Sequence, residues 1–279
     1  MDAEWGGCVK FTAGADRGAE PNLSSMAGFR SLWGSLSESP SAAPGLVWER
    51  IARTYPTTNR CADGSFPMTL PQNRKLCRTT GWRDCVVYSF GSRGDFTFEE
   101  AVRKQDPRCQ MHVFDPTTPP PPRQRGGGVL RRVRRHHAVH ADMHIHPVGL
   151  AHFDGMGDIP HPRSALTELF PMRTLPRLMA ERGHRNVTVI KIDTSGEMEV
   201  LHALNASSSF DWTALNQVLM ELHLFHPTAS GERQRCCYGY DDVKRVFEVM
   251  RYRRFRLFSL QPASGTRFDC CAEVAWVRE

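Results

Sequence analysis

Three short stretches bring together residue types that can hold and activate a ligand. The first is Ser89, Phe90, Gly91, Ser92, Arg93, Gly94 and Asp95, a turn with two glycines between an apolar run and the start of a helix-like pattern. Glycine lets backbone approach a ligand closely, and the free N–H groups of a helix start favour an anion such as a carboxylate. The turn lacks the G-x-G-x-x-G spacing of dinucleotide folds. The second is Asp115, at the end of the apolar run 109 to 115, where a carboxylate can accept hydrogen bonds from both ribose hydroxyls of a nucleoside. The third is the pair of run ends Lys191-Ile192-Asp193 and Glu221-Leu222-His223. Charges inside otherwise apolar runs need partners or water, because unpaired burial costs several kcal/mol. His223 is the candidate general base, with Asp193 orienting it or contacting substrate and Glu221 on the same rim.

Histidine and cysteine raise two further chemistries. His136, His137, His140, His144, His146 and His152 crowd one segment, and imidazoles bind divalent metals; on an extended strand His144 and His146 share a face. Metal sites, however, recruit ligands from separated elements, and this segment continues an arginine-rich loop, so the expectation is solvated histidines and no metal centre. A metal-assisted reaction would instead use Asp193 with another rim acid. Of the nine cysteines, none forms a C-x-x-C pair, so zinc spacing is absent. Buried thiols and disulfides are both open for Cys61, Cys77, Cys85, Cys109, Cys236, Cys237, Cys270 and Cys271. Sequons at Asn22, Asn186 and Asn205 matter only in a secretory compartment.

The elements that must position these residues alternate. Strand-length apolar runs at 85 to 90, 109 to 115, 141 to 150, 187 to 193, 217 to 225, 254 to 261 and 269 to 277 are separated by helix-period segments, the signature of a mostly parallel sheet covered by helices. Thr97 with Glu100, and Thr194 with Glu197, read as capping boxes at helix starts. Val243, Val246, Phe247 and Met250 form one stripe, with Asp241 and Asp242 near the positive helix end. Further upstream, Trp48, Ile51, Ala52 and Tyr55 share a helical face. In open sheets of this kind ligands bind beyond the carboxyl ends of the strands, where the strand order reverses, and all three stretches fall at such ends.

The 279 residues suffice for one large domain with extensions. Residues 1–45 are rich in Gly, Ser, Ala and Pro without periodicity and read as a disordered tail, leaving 46–279 as the folded domain. Residues 117–137 hold a proline run, a glycine run and six arginines, a long surface loop. The net charge of +6 hints at acidic partners, but without interleaved aromatics no specific nucleic-acid reading follows. No stretch reaches the ~18 apolar residues of a membrane span, and the start MDAEWGGCVKF carries no apolar signal core.

The blocks CVVYSFGSRGDFTFEEAV, CQMHVFDPT, VGLA, VIKIDTSGEMEVL and MELHLF, in this order, resemble the methyltransferase-like protein 24 family, a branch of the FkbM-type S-adenosylmethionine-dependent methyltransferases. The resemblance spans about residues 46 to 279. It implies a Rossmann-like α/β fold: a seven-stranded, mostly parallel sheet with helices on both faces and an antiparallel C-terminal strand. It also implies S-adenosyl-L-methionine held by Ser89, Phe90, Gly91 and Asp95, with Asp115 at the ribose and Asp193, Glu221 and His223 on the rim; the reading of the turn adds Gly94 to the cofactor residues, and a histidine base at position 223 makes O-methyl transfer the expected reaction. The acceptor would be a small molecule, a carbohydrate or a protein. Relatives commonly read I-D-x-E-G where Thr194 and Ser195 precede Gly196, and D-G-G where Asp63, Gly64 and Ser65 stand. The first departure motivates an alternative, a binding domain that kept the fold without turnover. Relatives often carry an N-terminal signal or anchor, which points toward the secretory route.

Overall fold

The computed structural model describes residues 44–78, 84–118, 143–160, 167–194, 196–224, 238–263 and 271–279. In chain order the elements are helix α1 (Pro44–Thr54), strands β1 (Met68–Thr69), β2 (Lys75–Leu76) and β3 (Val86–Phe90), helix α2 (Thr97–Gln105), and strands β4 (Gln110–Phe114), β5 (Met143–His146), β6 (Gly149–Leu150), β7 (Gly155–Pro160) and β8 (Thr167–Arg173). There follow α3 (Leu175–Arg182), β9 (Val187–Ile192), α4 (Glu197–Ala206), β10 (Leu215–His223), α5 (Tyr240–Tyr252), β11 (Phe255–Pro262) and β12 (Cys271–Arg278). Seven strands form one sheet in the order β11-β12-β10-β9-β3-β4-β5. Pairs β4–β5, β3–β4, β3–β9 and β9–β10 are parallel, and β12 runs antiparallel to both β10 and β11. The expected seven-stranded sheet with its one antiparallel strand is therefore present, and its order reverses between β3 and β9.

The central strands are buried on both faces because VVYSF and VTVIKI offer large or β-branched side chains to both. With period 2, Tyr88, Phe90, Ile190 and Ile192 go to a core closed by Val47, Trp48 and Ile51 of α1, Met198 and Leu201 of α4, and Val243, Val246, Phe247 and Met250 of α5. Val87, Val189, Leu219 and Ala275 go to the other, beneath Phe98 and Val102 of α2 and the β1–β2 hairpin. That hairpin lies on the sheet through Gln217, whose amide donates to Cys77 O and whose carbonyl accepts the Cys77 N–H. Disulfides Cys61–Cys77 and Cys85–Cys109 settle the cysteine alternatives for those four residues. They close loops of 16 and 24 residues, each worth about 3 kcal/mol on a chain-entropy account.

Several local expectations change. The run 141 to 150 is broken at Pro147: β5 joins the main sheet, while β6 pairs with β8 in a separate three-stranded sheet with β7. Proline fixes its own φ and has no N–H to give to a ladder, so the run ends there. Thr97 and Glu100 form no capping box; α2 begins after Phe96, and Asp95 Oδ1 accepts the Thr97 N–H at 3.0 Å instead. Nor do Thr194 and Glu197: the N-cap of α4 is Gly196, at φ 91°, and Glu197 is recruited elsewhere. The acid expected at the start of α5 does act, Asp242 Oδ2 accepting the Gly239 N–H at 2.8 Å. On α1, Ala52 is exposed and Val47 takes its place beside Trp48 and Ile51. The tail 1–43, loop residues 119–142, His136, His137, His140, Cys236, Cys237, Cys270 and Ser195 lie outside the described residues.

Candidate functional site

At the strand-order reversal, the ends of β3 and β9 are stitched together by the Asp193 N–H donating to Phe90 O at 3.1 Å. Gly91 follows at φ 77°, and a Cβ built on it would lie 1.9 Å from Asp193 O. The neighbouring strand end therefore by itself requires the missing side chain. Lys191 Nζ donates to Gly91 O at 2.9 Å and lies 3.4 Å from Asp193 Oδ2. Thr194 Oγ1, whose side chain meets the same turn, is buried without a hydrogen-bond partner.

The turn closes on Asp115. Arg93 N–H and Ser92 Oγ donate to its Oδ2 at 2.5 and 3.2 Å, and Thr117 N–H and Oγ1 to its Oδ1 at 2.8 and 2.6 Å. Burial works to raise this carboxyl, but those donors outweigh it and hold it below its ordinary value. Gly91 and Asp115 are thus neighbours: the Gly91 N–H donates to Phe114 O at 3.1 Å. The other four proposed cofactor residues divide. Gly94, at φ 78°, has open space around its Cα and serves the turn. Asp95 spends its carboxylate on the first N–H of α2 and on Gln72 Nε2, so the anion at this helix start is the protein's own. Ser89 and Phe90 are fully buried, the former donating to Glu99 Oε1 and the latter stacked on Phe114 at 4.8 Å. These two reach the rim through backbone alone.

The proposed rim residues come together around an arginine that the sequence did not disclose. Arg74 Nη2 lies 2.8 Å from Asp193 Oδ2, 3.3 Å from Glu221 Oε2 and 2.8 Å from Glu273 Oε1, with its side chain 1% exposed. Glu221 and Glu273 stand directly opposite in the β10–β12 register. Burial raises both; Glu273 reaches about 8, despite Arg74, with Glu221 adding repulsion. His223 sits beyond Glu221: Glu197 Oε1 accepts its N–H at 2.7 Å and lies 3.2 Å from Nδ1, while Glu221 Oε1 is 3.5 Å from Nε2. Burial alone would lower His223, but Glu197, Glu221 and Asp193 outweigh it and raise it to about 9.

Sequence reasoning missed Arg74, Glu197 and Glu273. Glu273 carried the signal that exposed Lys191 and Glu221, a charge inside an apolar run; Glu197 was read as a cap. Arg74 had no local signal, since it arrives from a hairpin pinned by Cys61–Cys77 over 100 residues from its partners in sequence. Reducing that disulfide is accordingly expected to lower thermal stability and, by freeing the Arg74 hairpin, to weaken ligand binding at the rim. Parallel melting and binding curves with and without reductant test this.

Two clusters bear on metals. Among the described residues, Glu221, His223 and Cys271 present ligand atoms within 4.8 Å of one another, but the Cys271 sulfur is committed to a disulfide and is no thiolate ligand. His144 and His146 do share a face, as expected, and His112 and His184 join them. His112 Nδ1 and His146 Nε2 are 3.1 Å apart with rings 7° from coplanar, one nitrogen donating to the other, and Tyr88 Oη hydrogen-bonds His184 Nδ1 at 2.8 Å. This corrects the expectation of solvated histidines for His146, which is partly buried. Burial lowers His112 to about 3 and His146 to about 4, with Arg182 and the other imidazoles adding to it.

The pH dependence follows in sign. His112 and His146 are depressed below their unfolded value near 6.5, so their contribution is full above that pH and is lost as pH falls toward 3–4. His223 and Glu273 are raised, so theirs is full below the unfolded values and is lost as pH rises through about 8 to 9. Chemical denaturation across pH 4 to 10 is expected to give a maximum near pH 6–7, and replacing His112 with Phe should flatten the acid side.

A family model described as a methyltransferase domain matches residues 62–278. No curated protein matches the chain in sequence. Among solved structures, the chain is similar to the fibrillarin pre-rRNA processing protein of Methanococcus jannaschii, at 10% identity and TM-score 0.37, covering 71% of this chain and 67% of that one. It is similar also to precorrin-6y C5,15-methyltransferase from Geobacter metallireducens (7%, TM-score 0.34, covering 70% and 81%). A third is fibrillarin of Aeropyrum pernix with natively bound S-adenosyl-L-methionine (11%, TM-score 0.34, covering 70% and 66%). With the strand order reversing at Gly91 and Asp193, and the family model spanning most of the sequence, the chain belongs to the methyltransferase-domain family, whose cofactor is S-adenosyl-L-methionine.

Proposed function

We propose that this domain catalyses O-methyl transfer at the carboxyl edge of β3, β9 and β10, to an acceptor hydroxyl placed against Asp193, Glu221 and His223. The finer likeness to the methyltransferase-like protein 24 branch supports this assignment, and the observation that carries it is that Asp193 and Glu221 meet on Arg74 beside the Gly91 turn, with His223 against Glu221. The residues present fit the cofactor. Two of the four donors on Asp115 are side-chain hydroxyls, Ser92 and Thr117, which ribose hydroxyls can replace like for like, and the Thr194 hydroxyl lacks a partner. Asp115 would hold the ribose, with the turn from Gly91 to Asp95 at the amino-acid part. S-adenosyl-L-methionine supplies the activated methyl group together with its own leaving group.

The protein's task is then positioning and one proton. An acceptor hydroxyl hydrogen-bonded to the rim gives its proton to the neutral form of His223, and the Glu197 and Glu221 carboxylates stabilise the imidazolium that results. With His223 near 9, about one molecule in a hundred holds the neutral form at pH 7, so the same carboxylates that strengthen the base also make it scarce. Transfer to hydroxyl acceptors should therefore rise with pH toward a plateau near 9. His223→Ala should retain cofactor binding, lose 10²–10⁴-fold in kcat, and lose the alkaline limb. An unchanged profile in that variant would remove His223 from the chemistry. Cofactor binding without transfer across small-molecule, carbohydrate and protein acceptors would favour the alternative of a binding domain without turnover.

A further inference from the structure

We propose that Asn186 carries an N-linked glycan, on the side of the sheet away from the methyl-transfer edge. The sequon Asn186-Val187-Thr188 straddles the start of β9, and Asn186 is exposed in the bend between the Gly183 cap of α3 and that strand. β9 is six residues long, which at roughly 3.3 Å per residue sets Asn186 about 20 Å from Asp193 at the other end. A sugar there leaves the rim clear.

The second, independent observation is the covalent frame. Cys61–Cys77 and Cys85–Cys109 are closed, and Cys271 is disulfide-bonded as well. The four paired sulfurs belong to residues at most 4% exposed, inside the core beneath α2 and the β1–β2 hairpin. Such core disulfides form in an oxidising compartment, and N-x-S/T acceptors are modified in that same compartment. The other described sequon is differently placed. Asn205 lies in the last turn of α4, where its Oδ1 accepts Arg253 Nε at 2.9 Å and its backbone oxygen accepts Arg253 Nη2 at 3.0 Å. A glycan added to that amide before folding would have to be fitted into the seam between α4 and α5, so chains carrying it fold poorly and are depleted from the secreted protein.

In the transfer step the Asn186 Nδ2 forms a bond to the anomeric carbon of a lipid-pyrophosphate-linked oligosaccharide. The bond from that carbon to the pyrophosphate oxygen breaks, the lipid pyrophosphate leaves with the electron pair, and the amide loses one proton. The Thr188 hydroxyl, which the acceptor motif must present, is buried and accepts the Val86 N–H at 3.1 Å in the fold. Transfer therefore precedes the docking of β9 on β3, and the folded, disulfide-closed chain is not a substrate.

The test is production of the full chain behind a cleavable leader in a eukaryotic secretory line. It is followed by amidase release of glycans in oxygen-18 water and mass spectrometry of the asparagine peptides. The expected result is isotope-marked aspartate at position 186 in most of the secreted protein, with Asn205 largely unmarked, and loss of one glycan step in Asn186→Gln but not in Asn205→Gln. The wild-type peptide reading does not depend on the variants folding. Unmarked Asn186 in secreted protein, marking at Asn205 in preference to it, or Cys61, Cys77, Cys85 and Cys109 alkylated without prior reduction would each overturn the proposal. Loss of methyl transfer with Asn186 still marked would count against the proposed function and not against the glycan.

Discussion

Replacing Arg74 with methionine is expected to cost about 3–5 kcal/mol, the scale for removing one partner of a buried ion-pair cluster. Methionine fills comparable volume, so the loss isolates charge. Asp193, Glu221 and Glu273 would be left facing one another with Lys191 beside Asp193 and His223 beside Glu221 but no cation between the three, in a site where Glu273 already rises to about 8. Two signatures separate this from a packing defect. The deficit should shrink as pH falls from 8 to 5, because protonation removes the repulsion Arg74 had offset. It should also shrink in the Arg74→Met, Glu273→Gln double variant, because the pair is coupled. A deficit independent of pH would mean that Arg74 acts through its bulk. Urea denaturation at several pH values reads both.

The second large effect belongs to Gly91→Ala. A residue with a Cβ at φ 77° is strained by roughly 1–2 kcal/mol. Here the added carbon would also lie 1.9 Å from Asp193 O and 2.9 Å from Thr194 Cγ2, the first being backbone of a central strand end that cannot rotate away. Overpacking adds another roughly 1–3 kcal/mol, and the sum of about 2–5 kcal/mol corresponds to a fall in melting temperature on the order of 10 °C. Gly94→Ala is the control: its φ is similar, but nothing lies within 4 Å of the added carbon, so only the backbone strain should appear. Equal losses in the two variants would contradict the account of Gly91.

The contrast between these glycines also shows how far the sequence could be read. The strands were legible because two-sided burial leaves apolar runs such as VVYSF and VTVIKI, whose boundaries hold to within a residue or two. The one run that failed contained Pro147, whose missing N–H divides β5 from β6. Asp193, Glu221 and His223 were legible as charges interrupting apolar strands, and they do converge. What holds them was not: Arg74 is brought by a hairpin whose position depends on a disulfide and on Gln217, contacts with no periodicity. Local capping logic failed at Glu197 because a tertiary partner, His223, outbid the helix start for the carboxylate. Asp115 was found for its place at a strand end, yet its four present donors come from the turns that flank it.

The central claim is that Asp115 and the Gly91 turn form one S-adenosyl-L-methionine site. Titration calorimetry of the oxidised chain with that cofactor, beside Asp115→Ala, tests it most directly. Saturable binding that weakens about 10- to 100-fold in the variant is predicted, the range for losing charge-assisted hydrogen bonds. Equal affinity in both proteins, or no heat at millimolar cofactor with the wild-type chain, would contradict it.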